Sequence, residues 1–87
     1  MSDDSPIEFP CDIPIKAFGP NADSFKQTVV DIVGRHFPEQ QPLDVAERLS
    51  RADKYLSLTL TVTAGSRQQI DDCYRELSSS DEVLMVL

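Results

Sequence analysis

YLSLTLTVTA, residues 55–64, alternates without a break: Leu56, Leu58, Leu60 and Val62 interleave with Tyr55, Ser57, Thr59, Thr61 and Thr63. A period of two with this β-branched content predicts a strand with one face in a core and one outside it. Gly65 ends the run, and Ser66-Arg67-Gln68-Gln69 has the S-x-x-Q form of a capping box, in which each end residue satisfies backbone donors of the first helical turn. That box opens a predicted helix with Ile70, Cys73, Tyr74 and Leu77 on its apolar stripe. SSSD, residues 78–81, stops the helix, and EVLMVL, residues 82–87, reads as a last strand. Upstream, RADK (51–54) has the composition of a hairpin turn. LDVAERLS (43–50) before it predicts a strand with Leu43, Val45 and Leu49 on one side and Asp44, Ala46 and Arg48 on the other. Glu47 interrupts the apolar side, as suits an edge strand, where a charge discourages further pairing.

The first half of the chain supplies the matching pieces. Pro14 has no N–H to give a ladder, so it is expected at the first position of a strand continuing through Ile15, Lys16, Ala17 and Phe18. Gly19-Pro20-Asn21 punctuates it, and Asn21 or Asp23 is expected to cap a helix. In that helix Phe25, Val29, Ile32, Val33 and His36 or Phe37 recur at helical spacing, until Pro38 disfavours further turns. Arg35 and His36 fall in the last turn, where positive charge complements the helix dipole. The order is βαββαβ, which predicts an α+β, ferredoxin-like sandwich: a four-stranded antiparallel sheet, order 4-1-3-2, with two helices on one face. Residues 1–10 are expected to be a flexible lead-in, with Ile7 and Phe9 able to tuck against the domain, and residues 11–87 form the single domain.

Composition narrows the function classes. Eighty-seven residues make one small domain. Fifteen Asp and Glu against eight Lys and Arg give a formal charge of −7, which repels phosphate backbones and anionic membrane surfaces alike. Neither nucleic acid nor membrane is an expected partner. Arg48, Arg51 and Lys54 form a short basic cluster at the hairpin, of a kind more often solvated than bound to an anion. The acidic opening lacks the cationic start and apolar core of a signal peptide, so a cytoplasmic location is expected. Cys11 and Cys73, with one histidine, cannot furnish four zinc ligands, and a Cys11–Cys73 disulfide would need an oxidising compartment.

Catalytic constellations are not found. His36 is the only histidine, and neither cysteine is placed beside it by the predicted topology. Asp71 and Asp72 fall near the start of the second helix, where negative charge is stabilising. The acylphosphatase chemistry that this fold can carry needs an Arg and free backbone amides in the first strand–helix loop. FGPNAD, residues 18–23, offers Asn21 but no Arg, and Pro20 removes an amide. RNA stacking needs aromatics on the exposed sheet face, whereas the central strand presents Tyr55 followed by Ser57, Thr59 and Thr61. The reading is therefore of a protein that is not an enzyme, with no cofactor and no metal.

The last residues raise a different matter. Alternation would put Val83, Met85 and Leu87 on one face and Leu84 and Val86 on the other, and only one set can meet the helices. The other set is left on an edge strand, and an apolar edge invites pairing. The N-terminal Ile7–Pro10 segment, a second copy of the chain or another protein could cover it. A two-fold homodimer is the simplest, since one patch then serves both subunits. The interface expected from this is Val83, Leu84, Met85, Val86 and Leu87 with Tyr55 and Thr59.

As an ordered set, IKAFG (15–19), VVDIVGRHFP (29–38), YLSLTLTV (55–62), CYRELSS (73–79) and VLMVL (83–87) resemble the YbeD-like family of small bacterial proteins. The resemblance runs from about Glu8 to Leu87 and is sharpest at the RH-x-P helix end and the terminal VLMVL. It implies a ferredoxin-like fold akin to ACT-type regulatory domains, and it carries no catalytic residues. By that analogy a small-molecule ligand, an amino acid or related acid, would sit near Gly19, Pro20, Asn21 and Asp23. Two functions follow as expectations: a non-catalytic interaction or regulatory module acting through its apolar sheet edge, or an ACT-like small-molecule sensor.

Overall fold

A computed structural model describes residues 8–40 and 43–87. The elements run β1 (Cys11–Pro20), α1 (Asp23–His36), β2 (Asp44–Leu49), a single 3-10 turn (Arg51–Asp53), β3 (Tyr55–Ala64), α2 (Arg67–Ser79) and β4 (Met85–Val86). The sheet is antiparallel with four strands in the order β2-β3-β1-β4, which is the expected 4-1-3-2 read from the other edge. This is the ferredoxin-like α+β plan. Leu56, Leu58, Leu60, Val62 and Ala64 of β3 pack with Ile15 and Ala17 of β1 against Phe25, Val29, Ile32, Val33 and Phe37 from α1 and its end. Cys73 and Leu77 of α2 close the core, and Phe9 packs against its margin; Ile7 lies outside the described residues. Among the described residues no helix is long and apolar enough to cross a membrane.

Three expectations need correction. Pro14 is not the first residue of β1 but lies inside it, opposite Thr61 of β3. The physical reason is the direction of its missing N–H. The backbone of Lys16, two residues on, exchanges bonds with Leu87 on the β4 side. Pro14 therefore turns its nitrogen to that same side, past the last residue that β4 offers.

The second correction concerns the start of α1. Its N-cap is Ala22, with no side-chain hydrogen bond, and Asp23 is simply the first helical residue. Asn21 is engaged elsewhere: its Nδ2 donates to the Asp53 carbonyl at 2.8 Å, and its backbone N–H to the Lys54 carbonyl at 3.1 Å. Asn21 thus ties the β1–α1 loop to the β2–β3 hairpin, whose turn needs such support because Ala52 and Asp53 both hold positive φ, 65° and 57°.

The third correction is at the C-terminal strand. Val83 is buried at 9% exposure, whereas Leu84 is 63%, Met85 55% and Leu87 59% exposed. Regular alternation starts only at Met85: Val86 lies opposite buried Ala17, while Met85 lies opposite Phe18 on the other face. Val83 enters the core from the preceding turn, so it and Met85 do not share a face.

The capping box of α2 forms with a variation. Ser66 Oγ accepts from the Gln69 N–H at 3.2 Å, as expected. Gln69 Oε1, however, accepts from the Gly65 N–H at 2.7 Å, and its Nε2 donates to the His36 carbonyl at 2.7 Å. One side chain thereby joins the start of α2 to the end of α1, satisfying an orphan carbonyl there. The helices are further linked through Glu76, which accepts from Arg35 at 2.6 Å and pairs with His36 Nε2 at 2.8 Å. Arg35 and His36 thus meet a carboxylate on the other helix as well as their own helix end.

Candidate functional site

The loop proposed by analogy as a ligand site is occupied by structure. Gly19 is buried in β1 against the Phe25 ring, and a Cβ there would also lie 2.8 Å from the Glu82 carbonyl oxygen. Asn21 is spent on the hairpin, Pro20 pairs across to Tyr55, and Asp23 is exposed on α1. The four residues are neighbours in sequence, but Gly19 points to the core while the other three are exposed, so they do not converge on one point.

The helix-free face of the sheet presents a broader feature. Pairing sets its residues in rows across the strands. From one end these are Thr63–Asp12, Asp44–Thr61–Pro14, Ala46–Thr59–Lys16, Arg48–Ser57–Phe18–Met85 and Tyr55–Pro20. Leu87 joins the Lys16 row through the backbone bonds between the two residues, with Leu87 N–H donating to the Lys16 carbonyl at 2.8 Å. A shallow depression of about 710 Å³ covers the middle, lined by Lys16, Phe18, Arg48, Tyr55, Ser57, Thr59 and Leu87 among others.

Of the expected interface residues, Tyr55, Thr59, Met85 and Leu87 do share this face. Tyr55, Met85 and Leu87 are large apolar side chains each about half exposed. Phe18, half-buried, lies among them and was not singled out from sequence, because a strand boundary at Phe18 hid which way it faced. Leu84 is exposed at the edge, and its N–H donates to the Phe18 carbonyl at 2.8 Å. Val83 and Val86 turn to the core side.

Among the described residues the shifted titratable groups are Cys73, Tyr74, Glu76 and Glu82. Burial, reinforced by Glu76, pushes the Cys73 thiol up to about 12, so it stays a neutral thiol. Hydrogen bonds from His36 and Arg35 hold the Glu76 carboxyl below its ordinary range, and those from Ser24 and Thr28 do the same for Glu82. Asp71 and Asp72 lie a turn inside α2 rather than at its start, where Asp72 accepts from Gln68 at 2.7 Å and Arg75 at 3.3 Å. Both cysteines are free, Cys11 partly exposed and Cys73 buried.

A family model described as "Protein of unknown function (DUF493)" matches residues 4–87. The chain belongs to this family. The relatives include a UPF0250 protein of Janthinobacterium sp. (strain Marseille), 48% identical over 84 residues that cover 97% of this chain and 92% of the relative. Another, from Chromobacterium violaceum, is 42% identical over 89 residues and covers both chains fully. These are the YbeD-like proteins that the RH-x-P and VLMVL motifs resemble. Among solved structures, the solution structure of protein HP0495 from H. pylori superposes with a TM-score of 0.77 at 19% identity, covering 100% of this chain and 94% of that one. At that identity the likeness speaks for the fold, and it agrees with the ferredoxin-like plan.

Proposed function

We propose that the protein is a non-catalytic interaction module that works through the helix-free face of its sheet, with a second copy of the chain as the occupant. The observation that carries this reading is the patch of Phe18, Tyr55, Met85 and Leu87 on a face that no helix among the described residues covers. Single exposed apolar residues are ordinary, but contiguous ones mark contact surfaces. A two-fold dimer lets one such patch serve both subunits. Light scattering across a concentration series tests it. The wild type is expected to have a dimer's mass, Met85→Lys a folded monomer's, and Leu84→Lys, exposed but off the open face, the wild-type mass. A wild type that stays monomeric at high concentration refutes the reading.

A second reading, an ACT-like sensor of amino acids or related acids, is favoured by one observation. The depression on the same face has the volume of a small-molecule site and mixes cations, hydroxyls and apolar walls. A thermal-shift screen separates the two. A ligand at a hundred times its Kd adds about 2.7 kcal/mol, and flat curves across the screen remove the sensor.

A further inference from the structure

Electrostatics divides the open face into two halves. Of the eight Lys and Arg, Lys26, Arg35 and Arg75 are ion-paired to Glu47, Glu76 and Asp72. Four of the other five, Lys16, Arg48, Arg51 and Lys54, lie in the middle rows or at the hairpin turn beyond Tyr55, and the fifth, Arg67, stands at the start of α2 and not in the rows of the open face; none of the five has an ion-pair partner among the described residues. The only carboxylate in that turn is Asp53. The opposite end holds Asp12 and Asp44, and the two rows that contain them have no Lys or Arg.

We infer, building on the dimer reading above, that two copies stack open face to open face about a two-fold axis that runs across the strands between the Lys16 and Phe18 rows. The Asp12–Asp44 end of each copy then lies against the hairpin end, Arg51 and Lys54, of the other. Rows on one face are about 6.7 Å apart, two residues of strand. Asp12 and the hairpin turn therefore both stand roughly 17 Å from that axis and coincide on rotation, with Asp44 one row nearer, at roughly 10 Å. Near the axis Leu87 meets Met85 of the second copy, and the Lys16 side chain lies over the second Phe18, an apolar contact with cation–π character.

The other in-plane axis, parallel to the strands, sets Asp over Asp and cation over cation. Like charges placed face to face cost several kcal/mol and select against that arrangement. The area is that of a small interface: β1 and β3 run ten residues, β2 six and β4 two, which outlines a face of roughly 440 Å². Relief from the side chains brings this toward the ~800 Å² per partner of a standard interface.

Charge reversal provides the test. One variant carries Asp12→Lys with Asp44→Lys, the other Arg51→Glu with Lys54→Glu, and circular dichroism verifies that each folds. Every pair of reversals moves the net charge by four from −7, to −3 in the first and −11 in the second. If net charge alone governed association, the −3 variant would dimerise more tightly than wild type. Instead, each variant alone is expected to lose at least tenfold in dimer affinity, and a 1:1 mixture to recover a dimer's mass.

Variants that dimerise alone as well as wild type, with no preference for each other, overturn the orientation and leave the dimer standing. A mixture that stays monomeric overturns it as well. A monomeric wild type removes both inferences together.

Discussion

Replacing Gly19 by alanine puts a methyl group where the Phe25 ring and the Glu82 carbonyl oxygen already sit, the latter 2.8 Å from the added carbon. The ring belongs to a fully buried side chain, and the carbonyl is backbone, so neither can step aside freely. Overpacking of this kind costs about 1–3 kcal/mol. Gly19 does not hold a positive φ, so alanine fits its backbone and regains about 0.4–1 kcal/mol by restricting the unfolded chain. The net expectation is a loss of about 1–2 kcal/mol, or a fall in Tm of roughly 4–16 °C for a domain of this size. Urea unfolding followed by far-ultraviolet circular dichroism measures it, with Gly65→Ala as the control. There the nearest atom is Gln69 Oε1 at 3.6 Å, and no loss is expected. A second step tests the cause, since in a Phe25→Leu background the cost of Gly19→Ala should shrink. Gly19→Ala with wild-type stability, or with an undiminished cost beside Phe25→Leu, refutes the steric account and would reopen a ligand role for this glycine.

Three further outcomes follow from the packing of α2. Gln69→Ala, which frees the Gly65 N–H and the His36 carbonyl together, should cost about 1–3 kcal/mol in the same urea assay, more than Ser66→Ala at ~1 kcal/mol. Because its partners lower the folded pKa of Glu76, this carboxylate stabilises the fold above its unfolded pKa and ceases to do so as pH falls through the folded value. Glu76→Gln should therefore flatten the acid limb of the stability–pH curve below about pH 4.5. With Cys73 buried and its thiol held at about 12, a thiol reagent should label Cys11 alone in the native state and both cysteines in urea. Rapid native labelling of Cys73 would mean that α2 opens far more often than its packing implies.

The strands and helices were readable because hydrophobic period and burial agree at nearly every core position. Leu56, Leu58, Leu60 and Val62 alternate with polar residues in sequence and are all buried, and the Phe25–Val29–Ile32–Val33 stripe is likewise inside. What sequence could not supply were long-range polar assignments. Asn21 looked like a cap, and it is spent 32 positions away on the Asp53 carbonyl. Gln40, in a loop with no pattern, holds Thr63 from both sides of its amide: Nε2 donates to the carbonyl at 2.6 Å, and Oε1 accepts from the N–H at 2.5 Å. It stands in for a strand partner beyond the start of β2. The open face was legible only in part, since the β3 alternation located Tyr55 and Thr59 but gave no register. Without register, Phe18 and Lys16 could not be assigned to that surface, nor could Met85 and Leu87 be told from Val83, Leu84 and Val86 as the end residues on it, nor could the separation of its charges be seen.

Pro14 leaves a mark on how this domain can meet others. β4 pairs with only part of β1, so among the described residues the stretch around Asp12 and Pro14 is an interior strand with one flank bare. Such a flank ordinarily templates any extended peptide that drifts by. Here an incoming strand would meet a proline ring where it needs a donor, and its first ladder bond would go unmade. The bare flank is proofed against strand addition, and contact with other chains is steered from the rim of the sheet to its open surface.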